Sequence, residues 1–407
     1  MNPLPFLLGE LKRARLAASV LVLVVAVTVA LGIVVMLAER GLRLGSARAA
    51  DPFDLVVGAK GSATQLVLTT VYLKPALLDL VPGSVLARLQ ADPGVAFAAP
   101  IALGDSYQGA LIVGTSVDFV TDGARRPLAE GRPFGAMNEV VVGADVPLRL
   151  GDTFSPAHGV PVGGQHLDEA DEHAHEGLHY VVVGKRPRLG SPWDRAILAP
   201  IEAVWSAHSL PTGHAPLSPA IGPPWSPDQL PGTTAIVARP RSVADAYRLR
   251  ARYRAGDSMA VFPAEVLVEL YQTLGDVRDL LTLLASATRV LVLASVALAV
   301  FAAVEGRRRS LAVLRALGAS RRYVFAAVWL GMTTLVAAGS VLGLVLGWAG
   351  ATALARMLLQ RTGLALPVGL SAAELGVLIP IVGGGALAAL VPAWLGYRQS
   401  VGTGLRS

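Results

Sequence analysis

The residues best equipped for chemistry are seven histidines, all between His158 and His214. Their densest part is His166-Leu-Asp-Glu-Ala-Asp-Glu-His-Ala-His-Glu-Gly-Leu-His179, with four histidines and five carboxylates in fourteen residues. Imidazole and carboxylate suit zinc, copper or nickel. His175 and His179 would share a helical face, and His173 and His175 a face of an extended segment. No single regular structure aligns all three. The insertion 158–179 is therefore either a loop that orders around an ion or a solvated one that binds metal incidentally. The candidate ligands are His166, Asp171, His173, His175 and His179, with Zn2+ as the ion. Other chemistry has little footing. Gly58-Ala-Lys-Gly-Ser62 lacks the spacing of a phosphate loop and reads as a turn. Gly-x-Ser-x-Gly is absent. The chain has no cysteine, which excludes disulfides, thiolate metal sites and cysteine nucleophiles. A non-catalytic protein is expected.

The elements that must carry this loop belong to a membrane protein. Of 407 residues, 53% are hydrophobic and 16% charged, against about 25% charged in ordinary soluble domains. The net charge of +6 then serves orientation and lipid headgroups, and nucleic acid is not expected as a partner. Residues 1–15, with Lys12, Arg13 and Arg15, read as a cytoplasmic amphipathic segment, and 16–38 as a first span. Leu16 to Leu37 carries no charge and would reach about 33 Å as a helix. A cleavable signal competes, with Ala47-Arg48-Ala49 resembling a cleavage site, but the run exceeds a signal's apolar core of about 7–15 residues.

Residues 39–262 have the texture of an exported α+β domain. Strands are expected at Asp54–Gly58, Val95–Leu103, Ala110–Val113, Glu139–Gly143, Tyr180–Gly184 and Ala196–Pro200. A helix is expected at Pro82–Gln90, a turn at Asp92-Pro93-Gly94, and an irregular patch at Pro211–Pro231. From Pro263, Leu267, Leu270, Leu274, Val277, Leu281 and Leu284 recur at steps of three and four. Residues 263–304 thus read as a helix that leaves the domain and becomes a second span. It is either a rod carrying motion or a core helix that precedes a span. A third span is expected at 324–350, an outer loop at 351–371, a fourth span at 372–396 and a cytoplasmic tail at 397–407. Gly339, Gly343 and Gly347 form a small-residue ridge in the third span, suited to packing within the protomer or to dimerisation. Pro380 and Gly383-Gly384-Gly385 should kink the fourth. The fold class is an α-helical membrane protein with four transmembrane helices and a large α+β extracytoplasmic domain between helices 1 and 2.

Between the second and third spans lies Glu305-Gly-Arg-Arg-Arg-Ser-Leu-Ala-Val-Leu-Arg-Ala-Leu-Gly-Ala-Ser-Arg-Arg-Tyr323, with six arginines. Such a basic element marks the cytoplasmic side. Leu311, Leu314 and Leu317 pattern a short helix ended by Gly318. It is either an interfacial helix or one pushed by a soluble partner. With Val391-Pro-Ala-Trp-Leu-Gly-Tyr-Arg-Gln-Ser-Val401 and the topology above, this element resembles the FtsX/MacB/LolC-like permeases of ABC transporters. Leu128-Ala-Glu-Gly-Arg132, Glu139–Gly143 and Tyr180–Gly184 are similar to that family's periplasmic domain. The His/Asp/Glu insertion and the proline-rich patch depart from the general pattern and suggest a metal-linked subgroup.

The resemblance implies a permease in a bacterial inner membrane that passes motion from a separate cytoplasmic ATPase to its periplasmic domain. ATP would act through that partner, and no cofactor would be bound directly. Arg307, Arg308, Leu311, Leu314, Leu317 and Gly318 would meet the ATPase. A second permease copy, identical or related, and a periplasmic partner complete the expected assembly, with membrane lipids around it. The competing expectation is a metal-responsive sensor or scaffold that regulates a periplasmic partner without transport.

Overall fold

The computed structural model describes residues 15–158, 179–216, 218–273 and 318–371, with positions 275, 283, 286, 290, 376, 379, 382–387, 389–391, 393 and 394. Two compact units are formed. One comprises Arg43–Leu274 and Leu358–Leu366, the other Met1–Leu42, Gly275–Met357 and Pro367–Ser407.

In chain order the elements begin with helix α1 (Arg15–Ala50), strand β1 (Leu55–Ala59) and helices α2 (Ala63–Thr70) and α3 (Gly83–Ala91). The hairpin β2 (Val95–Tyr107) and β3 (Ala110–Thr115) follows, then α4 (Val117–Thr121), β4 (Glu130–Gly131) and β5 (Glu139–Val142). Next come β6 (Thr153–Phe154), β7 (Ala157–His158), β8 (Tyr180–Lys185), β9 (Ile197–Pro200) and α5 (Ile201–Ala207). The rest are β10 (Ala235–Pro240), α6 (Val243–Arg254), β11 (Ser258–Val261), α7 (Pro263–Thr273) and α8 (Arg321–Thr362). The strands make one mixed sheet in the order β11-β1-β10-β2-β3-β9-β5-β8-β4, with β6 on β8 and β7 on β2. Among the described pairings, β3 with β9 and β5 with β8 are parallel.

Strand side chains alternate between two covered faces, so the strands are apolar at nearly every position. Leu55, Val57, Ile236 and Ala238 pack under α3 and α6 with Leu86, Leu89, Leu249 and Tyr253. Val56, Ala235 and Val237 belong to a second core with Leu66 and Val67 of α2, Val266 and Leu267 of α7, and Ala49 and Ala50 of α1. Ile112, Val140, Val142, Val182 and Ile197 form a third core beneath Val204 of α5. Each strand expected from a β-branched or glycine-bounded run is present. β2 runs beyond Leu103 to Tyr107 because β3 pairs with it to the hairpin tip. Pro82 precedes α3 instead of opening it. Described residues of 211–231 are irregular apart from one 3-10 turn, Pro227–Gln229.

In the other unit α1 packs on α8. Leu21, Val25, Val29, Ile33 and Leu37 meet Met332, Val336 and Ala351. A Cβ placed on Gly339, Gly343 or Gly347 would fall 2.7, 2.6 and 2.7 Å from the Cβ of Val25, Val29 and Ile33, respectively. The small-residue ridge is thus filled by α1 of the same chain. Trp329 Nε1 donates to Ala386 O at 2.9 Å, and a Cβ on Gly385 would meet Val336 at 2.6 Å. α8 continues past the third apolar run because residues 351–361 are rich in good helix formers. It stops at Gly363, whose φ is +70. Segment 351–371, expected as a loop, is therefore helical to Thr362. Among the described residues, Ala18–Ala50 and Arg321–Thr362 are long and apolar enough to cross a bilayer.

Candidate functional site

β7 and β8 bracket the histidine-rich insertion. His166, Asp171, His173 and His175 lie outside the described residues. His179 stands exposed before β8, with Nδ1 2.9 Å from Ser155 Oγ. Behind it Tyr180 is fully buried, and Phe154 has its ring 5.7 Å from Tyr180 and 4.5 Å from Tyr107. β7 joins the sheet by pairing His158 with Asp105 of β2. The ladder slips between Leu103 and Asp105. A Cβ on Gly104 would come within 2.6 Å of His208 Nε2, so glycine makes room for that ring. His208 Nε2 lies 3.8 Å from the buried Asp105 carboxylate. Burial first, and the Asp105 charge second, push the Tyr180 hydroxyl above its ordinary range.

A second carboxylate and imidazole meet where the proline-rich patch covers α5. Glu202 Oε1 accepts from Gly222 N and Trp225 Nε1, both at 2.6 Å, and lies 3.6 Å from His214 Nε2. Burial raises the Glu202 carboxyl, and these donors and His214 partly offset the rise. Among the described residues no three His, Cys, Asp or Glu side chains gather as a metal site. His208 with Asp105 and His214 with Glu202 supply two donors each. Neither pair was singled out from sequence, because only the fold brings its members together.

Arg307, Arg308, Leu311, Leu314 and Leu317 lie outside the described residues. Gly318 is described and takes a φ of +97, in the left-handed region that favours glycine. Two residues on, the Ser320 hydroxyl accepts from Tyr323 N at 3.2 Å and caps α8. Arg321 and Arg322 open that helix.

Three further features surround the core of the unit built on Arg43–Leu274. Two segments that carried the resemblance meet as an ion pair. Arg132 Nη1 and Nη2 donate to Glu139 at 2.7 and 2.5 Å, and Gly135 N adds a bond at 2.8 Å. The Arg132 hydrogen bond chiefly holds the Glu139 carboxyl down at about 2. α1 and α7 are tied by Ser46 Oγ, 2.5 Å from Tyr271 Oη, while Tyr72 Oη donates to Ser46 O at 2.9 Å. Finally, Leu358–Leu366 is a strap. Arg195 Nη1 donates to Gln360 O at 2.9 Å and Ala365 N to Gly190 O at 3.0 Å. Leu364 enters the core containing Phe53, Phe119 and Trp193. A Cβ on Gly45 would lie 2.6 Å from Ala365 O, so the strap needs glycine there. Sequence pattern offered only Leu364-Ala-Leu366-Pro367 as a signal.

No curated protein matches the chain. Solved structures that it resembles include the periplasmic region of MacB from Actinobacillus actinomycetemcomitans, at 10% identity and TM-score 0.34, covering 54% of this chain and 94% of that one. Another is the extracellular domain of the noncanonic ABC-type transporter YknZ from Gram-positive bacteria, at 11% identity and TM-score 0.30, covering 51% and 98%. Residues 283–404, which run from the second apolar stretch through the arginine-rich element into the tail, match the FtsX-like permease C-terminal family.

Proposed function

We propose that the chain is the permease subunit of an ABC transporter, with four spans in a bacterial inner membrane and residues 39–262 on the outer side. The observation that carries this is the family match over residues 283–404, which includes the whole of Glu305–Tyr323. The two long apolar helices agree with a membrane protein. A separate cytoplasmic ATPase engages the arginine-rich element through Leu311, Leu314, Leu317 and Gly318. Arg307 and Arg308 hold it at lipid headgroups or pair with acidic residues of that ATPase. Closure of the ATPase dimer shifts this element, and the helices that enter the exported unit pass the motion on. A second permease copy supplies the other half, and a periplasmic partner receives the output. The protein itself is non-catalytic.

Leu314→Asp tests the docking role. Co-purification of an ATPase encoded beside this gene should fall at least tenfold, and the permease should no longer stimulate ATP turnover. Undiminished association and stimulation would refute it. Because the chain has no cysteine, Arg309→Cys reports sidedness directly. A membrane-impermeant maleimide should label it only after the cells are opened.

The histidine-rich insertion supports a metal-linked version of this function, with Zn2+ on His166, Asp171, His173, His175 and His179. Calorimetry of the reconstituted chain should show saturable zinc binding that His173→Ala, His175→Ala and His179→Ala together abolish. If zinc alone, without a transported molecule, raised ATP turnover, the sensor role would replace export.

A further inference from the structure

A groove in the unit built on Arg43–Leu274 has no role in the function above. It encloses about 980 Å³, within the range of about 300–1,000 Å³ usual for ligand sites. One wall is a stripe of α1, Arg43, Ala47 and Ala50, at steps of four and three. A second wall is a stripe of α7, Ala264, Leu267, Val268 and Tyr271. Val243 and Tyr247 of α6 line a third side. Phe262 lies there too, edge-on to Tyr247 at 5.3 Å.

The lining is apolar yet wet. Val243 is 75% exposed, Tyr247 58% and Val268 55%. Apolar surface of this kind, concave and contiguous, calls for an apolar partner. The rim is cationic. The guanidiniums of Arg43 and Arg125 have no acceptor among the described residues, and that of Arg241 spends only its Nε, on Pro93 O at 3.1 Å. Two of the three lining carboxylates are already committed, Asp54 to Arg239 at 2.9 Å and Glu265 to Arg250 at 2.8 Å. Asp51 remains, so three guanidiniums face one uncommitted carboxylate. An apolar trough with an arginine rim fits a ligand with a hydrocarbon body and an anionic head.

The position of Arg43 along α1 selects among such ligands. The uncharged run of α1 ends at Ala38, before Glu39 and Arg40. Arg43 is five residues farther, about 7 Å along the helix axis. A bilayer's headgroup layer is about 5–8 Å deep on each side. Arg43 therefore stands at phosphate level when the run from Leu16 to Ala38 fills the hydrocarbon.

We infer that this groove binds an anionic phospholipid of the outer leaflet, its phosphate on Arg43 and Arg125 and one acyl chain turned out of the bilayer along the apolar walls. The inference rests on α1 crossing the bilayer, as in the reading above, and needs no ATPase.

The test uses the full chain in nanodiscs and phospholipids with a diazirine on one acyl chain. Phosphatidylglycerol should label peptides 43–54 and 262–273 at least fivefold more than phosphatidylcholine does. Arg43→Gln with Arg125→Gln should remove that preference, and Val268→Glu should reduce labelling by either lipid. Both variants change exposed positions and should leave the melting temperature unchanged. Equal labelling by the two lipids would overturn the inference. So would labelling confined to spans, or labelling lost only to a soluble acidic peptide or free fatty acid. Carbonate resistance of the chain separates these outcomes from failure of α1 to insert.

Discussion

Glu139 shows how one carboxylate sets a pH limit. Its hydrogen bond from Arg132 lowers its carboxyl from 4.5 to about 2. A depressed carboxyl adds stability above the unfolded value, and that stability is lost as pH falls toward the folded one. Glu139→Gln should therefore flatten the acid limb between pH 4.5 and about 2. Tryptophan fluorescence melts across that window check it. Glu202 has the opposite sign. Burial raises it, so its contribution is present while it is protonated and is lost as pH rises through the raised value. Glu202→Gln should make the melting temperature less sensitive to pH above 4.5. Trp225, which donates to this carboxylate, is a built-in reporter.

At the scale of elements, the ridge of Gly339, Gly343 and Gly347 fixes how α1 and α8 meet. Gly343→Leu would drive a side chain into Ala26 O and Val29. It should cost about 1–3 kcal/mol, as overpacking usually does. A cysteine pair at positions 33 and 347 should cross-link readily in the otherwise wild-type chain and poorly in the Gly343→Leu background. The ridge itself was legible in sequence, because spacing four is a local property of one helix. Its partner was not, since nothing in α1 distinguishes the side that faces it. The strands were legible for the same local reason: Glu139-Val-Val-Val-Gly143 and Tyr180-Val-Val-Val-Gly184 carry β-branched runs with glycine ends. Their order in the sheet was not, and with it went the pairs of Asp105 with His208 and Arg132 with Glu139. The helical end of α8 was misjudged as a loop because charge at Arg356 and Arg361 marks the end of an apolar run, not the end of a helix.

At the scale of the whole molecule, the unit that holds the sheet is discontinuous, with Leu358–Leu366 joining Arg43–Leu274. Leu364 is 8% exposed within the core of Phe53, Phe119 and Trp193. Leu364→Ala should cost about 2–5 kcal/mol. A soluble fragment of residues 43–273 should melt several degrees lower than the same fragment with 358–366 attached by a flexible linker, and calorimetry of the two reads the difference.

The strap also sets an order of events during synthesis. Residues 275–357 must be made before it exists, which takes roughly 4–17 s at about 5–20 residues per second. For that interval the nascent unit waits with an unfilled slot beside Trp193. A ribosome that stalls in this region releases a chain whose Arg43–Leu274 portion is complete in its strands yet open to proteases. The last-made segment of this unit thereby certifies that translation has passed the apolar stretch of α8.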